Sequence, residues 1–132
     1  AHQGIALNND LIVKGKWTPA CGAAGVDTLL SRKVNFTALV ASNDDMAIGA
    51  MKQLHEHGVS VPAQVSVIGF DDIALAAYTI PALSSVKIPV TEMIQETIGR
   101  LIFMLGDGAF TPPKTFTGEL IQRDSVAPPA SR

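Results

Sequence analysis

The chain has 132 residues, a formal net charge of −2 and one cysteine, Cys21. That length suits one domain or part of a larger one. The scattered basic residues form no stripe for a nucleic-acid surface, and a lone cysteine excludes an internal disulfide. A hydrophobic share of 47% against 17% charged residues fits a buried, mostly parallel sheet covered by helices. No apolar run reaches membrane-spanning length.

Ala1 to Gly4 reads as a helix end, with Gly4 as its stop signal. The chain starts without Met and inside an element, so an N-terminally incomplete chain is expected. The lack of a signal peptide or a helix-turn-helix pattern then carries little weight. Leu11-Ile12-Val13 reads as a short strand, followed by the loop Lys14 to Trp17. Thr18 and Pro19 supply a cap and a first helical residue. That helix is expected to run to about Ser31, with Ala23, Val26 and Leu30 on one face and with Gly22 and Gly25 permitting close packing.

Ala38 to Ser42 reads as the next strand. Asn43 or Asp44 caps a helix whose apolar stripe is Ala47, Ala50, Met51 and Leu54. Gly58 ends it and Pro62 marks a loop. Val65 to Phe70 has the nearly all-apolar composition of a sheet-centre strand. The order β-α-β-α-β implies right-handed crossovers and a parallel sheet. Ile73 to Pro81 then reads as a loop or short helical turn, and Leu83 to Ile88 as a further strand. From Val90 an amphipathic helix carries Met93, Ile94, Ile98, Leu101, Ile102 and Leu105 on one face. It stops at Gly106-Asp107-Gly108. Thr111-Pro112-Pro113 breaks the chain, Thr115 to Ile121 alternates as a strand, and a loose tail is expected from Val126.

Two acidic turns follow two of the strands: Asn43-Asp44-Asp45 and Asp71-Asp72. In open α/β sheets, ligands bind at the carboxyl ends of strands. One residue of the first turn is needed as a helix cap, which leaves at least one side chain able to face a crevice. Asp71 and Asp72 read either as turn formers or as acceptors for sugar hydroxyls, since an ionised carboxylate only accepts. Two acidic strand ends favour a neutral polyol over an anion. Trp17, at the end of the first loop, can serve as core packing or as a stacking face for a sugar. His55 and His57 do not share a helix face, and Cys21 has no evident partner. No metal site or cofactor is therefore expected. No phosphate-binding glycine loop or nucleophile elbow is present, which argues against an enzyme.

The stretch Phe36-Thr-Ala-Leu-Val-Ala-Ser-Asn-Asp-Asp-Met-Ala-Ile-Gly-Ala-Met51 resembles the LacI/GalR family of bacterial transcription repressors. Val61 to Asp72, Pro81 to Val86 and Leu120 to Ser125 resemble its following segments, so the likeness covers essentially the whole chain. The resemblance implies an α/β fold of the periplasmic-binding-protein-like type I class, a doubly wound parallel sheet of which this chain holds mostly the C-terminal lobe. It implies residues 1–89 in that lobe, 90–109 as a helix of the N-terminal lobe, and 110–132 as the return to the C-terminal lobe and the tail. It also implies a sugar effector, of the β-glucoside class, contacted by Asn43, Asp71 and Trp17. Val90 departs from the aromatic residue found there in some relatives. Helix 46–57 and the Tyr78 loop would lie near a homodimer interface. DNA would be contacted only through an N-terminal helix-turn-helix outside this chain, in a cytoplasmic protein without a membrane partner. A periplasmic sugar-binding protein for transport shares the fold and is the alternative.

Overall fold

The computed structural model describes residues 7–106, 108–109 and 112–129. The expected helix end at Ala1 to Gly4, and the positions Asp107 and Thr111, lie outside the described residues. Two helices of 13 residues, α1 (Pro19–Ser31) and α2 (Asp44–Glu56), pack on each other beside a four-stranded sheet. Its strands are β1 (Ala38–Val40), β2 (Ser66–Asp71), β3 (Ser84–Lys87) and β4 (Glu119–Ile121), in that spatial order. The first three run parallel and β4 is antiparallel to β3. A third helix, α3 (Val90–Leu105), connects β3 to the segment that leads into β4.

The local signals for both early helices are realised. The Thr18 hydroxyl caps α1 by accepting from the Cys21 N–H, with Pro19 at the first helical position. The Asn43 carbonyl oxygen caps α2 by accepting from the Met46 N–H at 2.9 Å. The predicted α2 stripe, Ala47, Ala50, Met51 and Leu54, is buried in full. With Val26, Val65, Val67, Ala76 and Leu83 it forms the core. Burying a residue such as Leu54 or Met51 contributes about 1.5–3 kcal/mol. The buried residues of α1 are Gly22, Val26 and Leu29, and Leu30 packs half-buried against the core. Gly22 is buried by the close approach of the two helices. A Cβ on Gly22 would lie 1.9 Å from the Met46 carbonyl oxygen, and one on Gly49 would lie 1.9 Å from that of Pro19. Gly58 closes α2 with φ +71°, a left-handed stop that glycine adopts without strain.

Three expectations need correction. Leu11 to Val13 forms no strand: Asn9–Leu11 is a short 3-10 turn, and Ile12 and Val13 are unpaired. The Arg32 guanidinium takes the carbonyls of Asp10 and Ile12, at 2.8 and 3.1 Å, and so competes with ladder pairing. The final strand pairs only over Glu119–Ile121, shorter than Thr115 to Ile121. The tail is held at Ala127, whose N–H and carbonyl both bond the Ser66 hydroxyl.

No residue of α3 is buried. Val90, Met93, Ile94, Ile98, Leu101, Ile102 and Leu105, its whole apolar stripe, are exposed. No helix among the described residues is long and apolar enough to cross a membrane.

Candidate functional site

Parallel pairing brings the carboxyl ends of β1 and β2 to one edge. Val40 is opposite Ile68, and the Ala41 N–H bonds the Ile68 carbonyl at 2.9 Å. Asn43 lies three residues beyond Val40, and Asp71 three residues beyond Ile68. Asn43, the cap of α2, thus follows the carboxyl end of β1, and Asp71 is the last residue of β2, its parallel neighbour. β3 ends at the same edge, with Lys87 opposite Asp71.

Asp44 and Asp72 of the two turns are engaged by partners elsewhere in the fold. Asp44 is fully buried. Its Oδ1 accepts from the Ser85 hydroxyl at 2.6 Å and its Oδ2 from the Ile73 N–H at 2.8 Å. Such a carboxylate is stable in the interior only because it is hydrogen-bonded there. Gly69 makes room for it: a Cβ at that position would lie 2.1 Å from Asp44 Oδ1. Asp72 accepts from Arg123 Nη2 at 2.6 Å and donates its N–H to the Ser85 Oγ at 3.1 Å.

Asn43, Asp45 and Asp71 keep polar atoms without a hydrogen bond among the described residues, Asn43 as a residue only 9% exposed. Asn43 uses its carbonyl oxygen as the α2 cap, and its Nδ2 makes no hydrogen bond among the described residues. The Asp71 side chain is exposed and makes neither hydrogen bond nor ion pair among them. Although the residue is largely exposed, the slight desolvation of the Asp71 carboxyl raises it above the usual aspartate range, and the carboxylates of Asp44 and Asp45 raise it further. One open donor and one open acceptor at adjacent strand ends suit hydroxyl groups, which both accept and donate.

Asp71 and Asp72 have φ of 106° and 55°. Non-glycine residues in sparsely populated backbone regions cost about 1–3 kcal/mol each and persist where the surroundings over-determine them. Trp17 is 68% exposed, one residue before the α1 cap. It is two residues from Pro19, whose carbonyl abuts Gly49 of α2. The Asn43 and Asp71 positions thus share an edge, and Trp17 stands on a separate loop beside α1.

A mainly apolar cavity of about 320 Å³ lies between α1, the free edge of β1 and the unpaired 11–15 segment, and reaches Ser42 beside Asn43. Leu11, Val13, Val26, Leu39 and Met46 are among its lining residues, whereas Trp17, Asn43 and Asp71 are not. Its lining also carries the polar side chains of Lys14, Cys21 and Ser42. Among the described residues no group of three or more His, Cys, Asp or Glu is arranged to hold a metal ion. His57 pairs with Asp27 at 2.7 Å on the surface, which holds the Asp27 carboxyl below its ordinary range and joins α2 to α1.

The structural roles of Asp44, Ser85 and Arg123 were not read from the sequence. The available signal was Ser84-Ser85, two hydroxyls inside a strand whose neighbours are otherwise apolar.

The family model for the periplasmic binding protein-like domain matches residues 3–126. The chain belongs to that family. Its resemblance to LacI/GalR regulators extends over nearly the whole of this chain. The HTH-type transcriptional regulator AscG of Escherichia coli (strain K12) is 74% identical over 130 residues, 98% of this chain and 39% of AscG. The chain spans about two fifths of the length of the curated relatives it matches. The crystal structure of the Escherichia coli transcriptional repressor ascG superposes with a TM-score of 0.84 at 75% identity, covering 96% of this chain and 46% of that one. A transcriptional regulator CelR–cellobiose complex superposes with a TM-score of 0.88 at 28% identity, over 94% of this chain and 38% of that one. The Lac repressor dimer bound to operator and the anti-inducer ONPF gives 0.80 at 28% identity, over 85% of this chain and 39% of that one. The overall fold described above is that of this periplasmic-binding-protein-like class.

Proposed function

We propose that this chain is the C-terminal lobe of the sugar-sensing region of a transcription repressor that controls a carbohydrate operon. The observation that carries the reading is the pair of polar groups without a hydrogen bond among the described residues, Asn43 Nδ2 and the Asp71 carboxylate, one just beyond the carboxyl end of β1 and the other at that of β2. Asn43 donates to a sugar hydroxyl oxygen, Asp71 accepts from adjacent hydroxyls, and Trp17 stacks on an apolar sugar face. The effector is a β-glucoside. Support comes from the cellobiose complex of CelR, because cellobiose joins two glucose units through a β-linkage.

Residues 1–89 and 110–132 belong to this lobe, and residues 90–109 to the other lobe, against which α3 lays its apolar stripe. The unburied Val90, Ile94, Ile98 and Leu101 support that division, because exposed apolar patches of this size mark an interaction surface. The whole protein works in the cytoplasm as a homodimer and reaches its operator through an N-terminal helix-turn-helix. The dimeric, operator-bound Lac repressor supports this part. The role is that of a receptor, not an enzyme, in keeping with relatives named as transcriptional regulators. Those names also leave a transport protein without support.

A sugar shifts the operator equilibrium only as far as it binds one arrangement of the two lobes better than the other. The test is operator binding by the full-length protein, followed by fluorescence anisotropy with and without cellobiose. Release of operator by the sugar is expected. Operator binding that ignores every β-glucoside offered contradicts the sensing role.

A further inference from the structure

We propose that Asp44 and Ser85 are positioning residues for the sugar site. Through the amides of Asp72 and Ile73 they hold the turn after β2 in the backbone conformation that keeps the Asp71 carboxylate open at the sheet edge. The proposal rests on the reading of Asp71 as a sugar ligand.

The usual reason for an aspartate at the start of a helix is capping or a favourable interaction with the helix dipole. Capping is already done here by Asn43, one residue earlier. Both oxygens of Asp44 accept from groups outside its own helix: Oδ1 from the Ser85 hydroxyl on β3 and Oδ2 from the Ile73 N–H beyond β2. Ser85 Oγ in turn accepts the Asp72 N–H. The three bonds form one chain, Asp72 N–H to Ser85 to Asp44, closed by Ile73 N–H to Asp44.

The two anchored amides immediately follow Asp71. They fix the peptide planes on which the left-handed φ of Asp71 and Asp72 depend. Each partner is buried, so water does not compete for the bonds: Asp44 and Ser85 are both fully buried. The site even excludes a methyl group, since a Cβ on Gly69 would meet Asp44 Oδ1 at 2.1 Å. A carboxylate set in advance loses less conformational freedom when a ligand binds. Disturbing the chain of bonds should therefore weaken sugar binding without touching any atom that contacts the sugar.

The test uses the full-length protein with Ser85→Ala, Asp44→Ala and Asp44→Asn. Residue-level amide hydrogen exchange at Asp72 and Ile73 is measured beside a calorimetric titration with cellobiose. Ser85→Ala and Asp44→Ala are expected to speed exchange at these two amides while Val67 in β2 stays protected. They should also weaken cellobiose about tenfold. Asp44→Asn keeps an acceptor for the Ile73 N–H and should retain most of the affinity, which a loss of global stability does not explain. The exchange readout needs no ligand, so unaltered exchange at both amides in Ser85→Ala and Asp44→Ala overturns the proposal. So does unchanged affinity in Ser85→Ala when Asp71→Ala has lost binding. Normal cellobiose binding by Asp71→Ala overturns the ligand reading itself, and the positioning proposal with it.

Discussion

Arg123 Nη2 lies 2.6 Å from Asp72 Oδ1, which ties the segment leaving β4 to the turn that ends β2. The two side chains are only 19% and 13% exposed, and Arg123 also donates to the Leu83 carbonyl at 2.7 Å. Removing one member of a shielded pair leaves the other charge poorly compensated. Arg123→Ala should cost about 2 kcal/mol, below the full buried-pair value because some solvent reaches the pair. Denaturant unfolding of the full-length protein checks this, and a change under about 0.5 kcal/mol would show the clamp to be idle.

Gly69 is the second point of vulnerability. An added methyl would collide with Asp44 Oδ1, and Asp44 cannot retreat without abandoning Ser85 or Ile73. Gly69→Ala should destabilise by about 1–3 kcal/mol, the range for overpacking a close-fitted site. Gly99, where an added Cβ meets nothing within 4 Å, gives the comparison. A Gly99→Ala change should be neutral or slightly stabilising in the helix, and equal losses at both positions would contradict the steric argument.

Asp71 gives a pH signature. Burial first, and then the Asp44 and Asp45 carboxylates, raise its folded pKa above the unfolded value. Between those two values the folded protein holds a proton that the unfolded chain has released. Stability from this group is therefore present at lower pH and declines as pH rises through that window. Sugar binding has the opposite slope, because only the ionised carboxylate accepts from two hydroxyls. Affinity should fall on acidification at a higher pH than an ordinary aspartate would give. Asp71→Asn should lose that dependence. A titration in which both proteins show the same pH profile would remove Asp71 from the binding step.

The unburied stripe of α3 makes opposite predictions for the fragment and the whole. In the full-length protein Ile98→Asp should cost more than 2 kcal/mol, because an unpaired charge would be pressed against the other lobe. In the isolated 132-residue chain the same change should leave stability nearly unaltered and reduce self-association. Sedimentation and denaturant unfolding distinguish the two cases. A neutral effect in the full-length protein would contradict the assignment of residues 90–109 to the second lobe.

The legible parts of this fold were those governed by neighbours in sequence. The Asn43 cap, the Ala47–Leu54 stripe and the Gly58 stop each depend on residues within one or two helical turns, and all three formed. Leu11 to Val13 misled because three apolar residues carry no trace of Arg32, which takes their neighbouring carbonyls from 20 and 22 residues away. At the strand ends the sequence displayed the polar residues but not their division. Asp44 is engaged by partners 29 and 41 residues distant, and Asp72 by one 51 residues distant. Asn43 and Asp71 were left open by that same arrangement, which no local pattern encodes.

The most direct test of the sugar-site reading is a crystal structure of the full-length protein with a β-glucoside bound. The prediction is sugar hydroxyls within hydrogen-bond distance of Asn43 Nδ2 and of the Asp71 carboxylate, in one cleft. A bound sugar that touches neither side chain, or that touches them at separate sites, would contradict it.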